Sequence, residues 1–285
     1  MTRALHLHIG HAKTGSSYLQ SCFALNAAAL ERRGIRYPSH ASLKAAKDGA
    51  VTGGNANTLA LKRLEGAGAM LDAARHRLHG RDALLSSERL FEVLARREGR
   101  AALKRYMAIG GFAKARILLF TRDPDEHLLS LWGQAVRRSG ETRDIEGKIR
   151  AYKPMKRVAN LLRAVRKDDA LEIDVLNYSR VRKDITAHVE GWLGLTPGAF
   201  ARPPKEEINR SLTLEEVVVQ RALNARFGPC PRLYAELVAA EPPAAPATKV
   251  AMTAAQRALL AEHVAKPMKW INRQLPEAQR YRFEM

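Results

Sequence analysis

The sequence predicts an α/β protein with a central parallel sheet flanked by helices and a helical C-terminal region. Strand candidates at residues 4–9, 83–86, 115–120 and 171–176 alternate with helical patterns, the first of them over residues 16–33, and this alternation is typical of a parallel sheet. The chain has 285 residues, 46% of them hydrophobic, which is enough to bury a full core. We therefore expect one domain over 1–285, with an α/β core over 1–178.

Helical patterns dominate residues 179–285, the C-terminal part of the predicted domain. They cover residues 180–193, 214–227 and 253–275. Thr213 followed by Glu216 is a capping-box pattern, which supports a helix start at residue 214. Residues 241–247, rich in proline and alanine, are typical of a linker.

The charge balance indicates an anionic partner. Lys and Arg number 48 against 29 Asp and Glu, a net charge of +19. Such a field attracts nucleic acid, a membrane surface, an acidic polysaccharide or a multiply phosphorylated cofactor. A basic surface that is merely solvated is an equal alternative. Aromatic residues make up only 6% of the chain and are not grouped, so we expect no specific binding of nucleic acid.

The sequence lacks three kinds of signal: a membrane span, a secretory leader and a zinc site. There is no apolar run of about 18 residues and no secretory leader pattern, so we expect a cytoplasmic protein without a membrane span. Cys22 and Cys230 are far apart and match no zinc spacing. We assign no metal.

The segment between the first strand and the next helix is the first candidate site, and it reads Gly10-His11-Ala12-Lys13-Thr14-Gly15-Ser16-Ser17. Ligands of open α/β sheets bind in such turns, and a helix N-terminus attracts phosphate. Glycines allow close approach of the backbone, Lys13 adds a charge, and three hydroxyls add donors. The segment predicts an anion-binding loop.

The position of Lys13 separates this loop from the triphosphate loop GxxxxGK[ST], where the lysine follows the second glycine. The loop resembles the 5′-phosphosulfate loop of sulfotransferases that use 3′-phosphoadenosine-5′-phosphosulfate (PAPS). The resemblance implies a P-loop NTPase-like sulfotransferase fold, with Lys13 on the 5′-phosphate and bridging oxygen. The loop residues it assigns to the cofactor are Gly10, Ala12, Lys13, Thr14, Gly15, Ser16 and Ser17.

A second motif follows the strand at 115–120. Arg122, Asp123 and Pro124 lead into a helix that carries Ser130. A guanidinium pairs with phosphate in a two-point fashion, and a helix hydroxyl can add a bond. The motif resembles the 3′-phosphate-binding element of the same family, with Arg122 and Ser130 at the matching positions. The two motifs together imply PAPS as donor and adenosine 3′,5′-bisphosphate as product.

Two residues are candidates for a catalytic base. Glu88 follows the strand at 83–86 on the expected ligand side, and in the glycan-modifying branch of the family a glutamate in a comparable position is the base. His11 is the rival, because an imidazole changes protonation near neutral pH. His6 and His8 share one face of the first strand, and we expect them to pack rather than to bind metal.

The remaining resemblance concerns the nucleotide and the acceptor. Asn209 and Ser211 lie in a segment that resembles a loop preceding a helix in bacterial members, which implies contacts to the nucleotide. The Lys-Gly-x-x-Gly-Asp-Trp-Lys stretch of animal cytosolic enzymes is absent, which favours a bacterial or Golgi-like glycan branch. The implied acceptor is a hydroxyl or amine of a carbohydrate or small metabolite, and the basic surface favours an acidic one.

Two other functions stay open from the residues alone. A small-molecule kinase of P-loop type would use ATP, but it predicts the GK[ST] pattern that this sequence lacks. A non-enzymatic protein that binds polyanions would use the net charge of +19.

Overall fold

A computed structural model describes residues 2–38, 54–203, 213–229 and 250–283. Five parallel strands form one sheet in the order β2-β3-β1-β4-β5. In chain order, β1 to β5 are Ala4–Gly10, Ile35–Arg36, Asp82–Ser86, Lys114–Thr121 and Leu171–Asn177. The predicted α/β class with a central parallel sheet is confirmed.

Helices connect the strands and flank the sheet. In the described ranges they are Ser16–Leu25, Ala27–Arg32, Asn57–Leu61, Ala67–His79, Arg89–Leu94, Arg97–Gly110, Pro124–Ser139, Ile145–Arg150, Pro154–Val165, Tyr178–Val181, Ile185–Trp192, Leu214–Phe227 and Ala254–Asn272. A short 3₁₀ helix, Glu277–Gln279, follows. The predicted capping box is present: Glu216 N donates to the Thr213 hydroxyl, and Thr213 N donates to the Glu216 carboxylate.

Two predicted elements differ from the structure. The helix predicted over 16–33 is interrupted at Asn26, whose side chain donates to Ala201 O at 2.8 Å and accepts from Ala201 N at 2.9 Å. A side-chain amide that binds distant backbone competes with helix continuation. The helix predicted over 180–193 is divided into Tyr178–Val181 and Ile185–Trp192.

The chain divides into two compact units. The first contains residues 1–122, 156–208 and 270–280 and includes the whole sheet. The second contains residues 123–155, 209–269 and 281–285. In the second, the Asn224 side chain donates to Val136 O at 2.8 Å, which joins two of its helices. The single domain over 1–285 stays a prediction, and the linker at 241–247 lies outside the described residues.

β1 is the central strand of the sheet and is buried on both faces. Leu5, Leu7 and Ile9 are at most 1% exposed, and His6 and His8 are buried between them. His8 lies against the rings of Phe23 and Phe120, as expected of a packed side chain. The loop after β1 therefore leaves the sheet at its middle.

Within the part of the chain that the structure describes, none of the helices is both long and apolar enough to span a bilayer.

Candidate functional site

The loop after β1 begins at Gly10, which lies against the backbone of Phe120 in β4. A Cβ added to Gly10 would lie 2.8 Å from Phe120 O, and His11 N donates to that same oxygen at 2.9 Å. Any side chain at residue 10 would push the two strands apart. The packing of β1 against β4 therefore requires glycine at this position.

Two residues of the loop have left-handed backbone conformation. Gly15 has a φ of 77° and Lys13 a φ of 69°, which is uncommon for a residue with a side chain. Thr14, between them, is fully buried and its hydroxyl donates to His11 O at 2.7 Å. Strained backbone of this kind clusters at ligand-binding sites. The Thr14 hydroxyl uses its proton to hold the turn.

The loop ends at the N-terminus of helix Ser16–Leu25. Its N-cap residue, Gly15, has no capping side chain, and no acidic residue lies in the first turn. The dipole of such a terminus is equivalent to about half a positive charge. Ser16 is buried, and Ala12, Lys13 and Ser17 are half-buried. The first turn thus fits a negatively charged ligand.

Arg122 lies next to this loop. It follows β4, is half-buried, and donates from Nη1 to Lys13 O at 3.2 Å. Its guanidinium carbon lies 5.6 Å from the centre of the Tyr178 ring. Arg122, the first residue of the second motif, therefore contacts the first motif within the first compact unit. Ser130, half-buried on helix Pro124–Ser139, belongs to the second unit.

Glu88 lies close to Lys13 and Ser16. It follows β3 and is the half-buried N-cap residue of helix Arg89–Leu94. Burial raises the pKa of the Glu88 carboxyl, against the opposing effects of the Ser16 hydroxyl and the charges of Lys13 and Arg89. The net direction is upward. A carboxylate with a raised pKa beside a lysine is an arrangement typical of acid–base sites.

His11 is enclosed rather than exposed in the loop. Its ring is 5.2 Å from that of Phe91, and the residue is buried. Burial, with a smaller effect of the Arg157 charge, lowers the pKa of His11 to about 3. The imidazole is therefore neutral near pH 7.

The two histidines of β1 are packed among aromatic rings and polar neighbours. His6 contacts the Trp192 ring at 5.4 Å and lies 3.3 Å from the Asp82 carboxylate. The His8 ring accepts or donates a hydrogen bond with the Ser86 hydroxyl at 2.8 Å. Burial lowers the pKa of His8 to about 3.

A buried amide that sequence analysis missed completes the edge of the sheet before Glu88. The Asn55 side chain donates to Leu84 O at 2.9 Å and accepts from Ser86 N at 2.7 Å. A Cβ added to Gly54 would lie 2.0 Å from Ser86 O. The only sequence signal was a Gly-Gly-Asn run, which is typical of a turn.

Two predicted site residues, Asn209 and Ser211, lie outside the described residues. In the described ranges there is no group of three or more His, Cys, Asp or Glu side chains arranged to hold a metal ion.

A scan of the chain against models of known protein families and a search among curated proteins both found no match.

Proposed function

We propose that the chain is a PAPS-dependent sulfotransferase of P-loop-like fold. The observation that carries the proposal is the bond from Arg122 to the carbonyl of Lys13, which joins the two predicted anion-binding elements. PAPS carries negative charge at both its 5′-phosphosulfate and its 3′-phosphate. Two adjacent cationic elements suit such a cofactor better than a ligand with one charged end.

The 5′-phosphosulfate is assigned to the loop and the first turn of helix Ser16–Leu25. The left-handed backbone at Lys13 and Gly15, the uncapped helix end and the lack of an acidic side chain in that turn support this assignment. Backbone N–H groups at a helix N-terminus bind phosphate oxygens. Lys13 would add the full charge nearest to the reacting group.

The 3′-phosphate is assigned to Arg122, and the contribution of Ser130 stays a prediction from the sequence. A guanidinium has five N–H donors, so one bond to the Lys13 carbonyl is compatible with a two-point contact to phosphate. The ring of Tyr178 beside the guanidinium supports its orientation.

Glu88 is the proposed base. PAPS supplies a sulfuryl group whose bond to the phosphate oxygen breaks as the acceptor oxygen bonds to sulfur. Glu88 takes the proton that the acceptor hydroxyl loses, and Lys13 stabilises the charge on the departing phosphate. The raised pKa of Glu88 supports this role, whereas a pKa of about 3 makes His11 a poor proton acceptor. The acceptor we propose is a carbohydrate or a small metabolite.

Ligand-induced stabilisation tests the proposal. We expect adenosine 3′,5′-bisphosphate to raise the free energy of unfolding by about 2.7 kcal/mol at one hundred times its Kd. Adenosine 5′-monophosphate, which lacks the 3′-phosphate, is the matched control and should have a smaller effect. Stabilisation by ATP with magnesium but not by the bisphosphate would favour the kinase, and no response to either would contradict the proposal.

Transfer from labelled PAPS to a panel of polysaccharides and small hydroxylated or amine compounds then identifies the acceptor.

A further inference from the structure

An apolar stripe lies on the outer face of helix Ala67–His79, in the first compact unit. Ala67, Leu71, Ala74 and Leu78 follow a spacing of four, three and four residues, which places them on one side of the helix. All four are exposed, Leu71 by 61% and Leu78 by 86%. The two leucines and two alanines thus form one apolar stripe that faces away from the protein.

The opposite face of the helix is fixed to the protein. Ala69, Ala73 and His76 are buried. The Asp72 carboxylate accepts a hydrogen bond from the Tyr106 hydroxyl at 2.5 Å and lies 3.4 Å from His76 Nε2. The helix is therefore held in one orientation, with its only carboxylate on the side of the protein and its leucines outward.

Cationic side chains lie on both sides of the stripe. At 100° per residue, Arg75 lies to one side of the leucines and Arg77 to the other. Both are exposed. The Lys62 ammonium lies 3.7 Å from the Cβ position of Gly68, on the Arg75 side. The outward part of this helix thus combines apolar and positive groups.

We propose that this stripe docks on an anionic lipid surface, where Leu71 and Leu78 enter the acyl boundary and the cations contact headgroups. Helices of this composition bind in the plane of a charged interface. Pairing the stripe with that of a second copy would bring Arg75, Arg77 and Lys62 towards their own counterparts, and like charges disfavour such contacts. The net charge of +19 favours an anionic surface in the same way. The inference does not depend on the proposed sulfotransferase activity.

Vesicle sedimentation with the full chain tests whether the stripe docks on an anionic lipid surface. The probes are vesicles of phosphatidylcholine alone and vesicles in which about one quarter is phosphatidylglycerol. We expect binding only to the anionic vesicles, weakened by added salt. Arg75→Gln with Arg77→Gln should lower the partition coefficient about thirtyfold, since each cation near the surface contributes.

Leu71→Gln with Leu78→Gln should lower the partition coefficient for anionic vesicles by about a hundredfold, because two apolar side chains no longer enter the bilayer. The matched control is Val218→Gln with Val219→Gln, two exposed apolar side chains on another helix, which should leave binding unchanged. Glutamine suits a helix, and thermal unfolding confirms that each variant is folded.

Three results would overturn the inference. They are no binding to anionic vesicles, an equal loss in the valine control, and a dimer in size exclusion that the leucine variant abolishes. The last result would assign the stripe to self-association.

Discussion

The Arg122 guanidinium donates to the main-chain carbonyl of Lys13 at 3.2 Å, between residues 109 positions apart. The bond orients the arginine by means of the loop itself. Arg122 therefore acts on the loop's shape as well as on any ligand, and its removal should affect both.

For Arg122→Ala we expect a Kd for adenosine 3′,5′-bisphosphate raised about ten- to a hundredfold, because a charge-assisted contact contributes about 1.5–3 kcal/mol. Turnover of bound PAPS should fall less. Arg122→Lys, which keeps the charge but not the two-point geometry, should recover only part of the affinity. Calorimetric titration measures the Kd, and an unchanged Kd in Arg122→Ala would refute the 3′-phosphate assignment.

Substitution of Lys13 separates charge from backbone strain. Both Lys13→Ala and Lys13→Gly should lose transfer, since each removes the cation. Because the residue has a φ of 69°, Lys13→Gly should be more stable than Lys13→Ala by about 1 kcal/mol. Chemical denaturation compares the two, and equal stability would show that the left-handed conformation is not retained in solution.

The glycine at residue 15 should not tolerate a methyl group. Its φ is 77°, and an added Cβ would lie 2.9 Å from the Tyr178 ring. We expect Gly15→Ala to lower the free energy of unfolding by at least about 1 kcal/mol and to weaken bisphosphate binding. The control is Gly133→Ala, inside a helix, where the added Cβ would have no atom within 4 Å apart from its chain neighbours and the backbone of its own helix; this change should be stabilising by about 0.5–1 kcal/mol.

Glu88→Gln should lower transfer about a hundredfold or more while making the protein no less stable at pH 7. A raised pKa means that folded Glu88 holds its proton to higher pH, so its stability contribution is present below the ordinary pKa of 4.5 and is lost as pH rises. Glutamine does not ionise, so the free energy of unfolding of the variant increases relative to that of the native protein as pH rises towards 7. Transfer assays and denaturation at pH 4 and 7 check both parts, and normal transfer would end the assignment of Glu88 as base.

The buried histidines predict acid sensitivity. The pKa of both His8 and His11 is lowered to about 3 in the folded chain, against 6.5 when unfolded. Their stability contribution is therefore present above pH 6.5 and is lost as pH falls towards 3. Around pH 5 the two groups should contribute a slope of about 2.7 kcal/mol per pH unit.

His8→Gln should halve that slope, whatever it does to stability itself. Free energies of unfolding measured at several pH values around 5 give the slope. An unaltered slope would mean that His8 remains protonated in the folded protein.

Four of the strands were predictable because each contains several aliphatic residues in a short segment between helical patterns, although in β5 these alternate with Glu172 and Asp174. β2, Ile35–Arg36, was not predicted, since two residues show no periodicity. The break at Asn26 was also missed, because it depends on a bond to Ala201 that leaves no local pattern.

Within the candidate site, residue types and strand ends were enough to select Lys13, Glu88 and Arg122. They did not reveal that the Thr14 hydroxyl donates to His11 O, because a hydroxyl can donate in many directions. Nor did they reveal the burial of His11 against the Phe91 ring, which depends on packing between residues far apart in sequence.

Asn55 satisfies the outer edge of β3 with both polar atoms of its side-chain amide. β2 pairs with β3 only as far as Ala83, and beyond that point a side-chain amide takes the place of a neighbouring strand. An aspartate here would set an acceptor against Leu84 O, and a leucine would leave both backbone groups without this partner. A homologous chain with either residue would need a longer β2, so the length of that strand and the identity of this residue should change together during evolution.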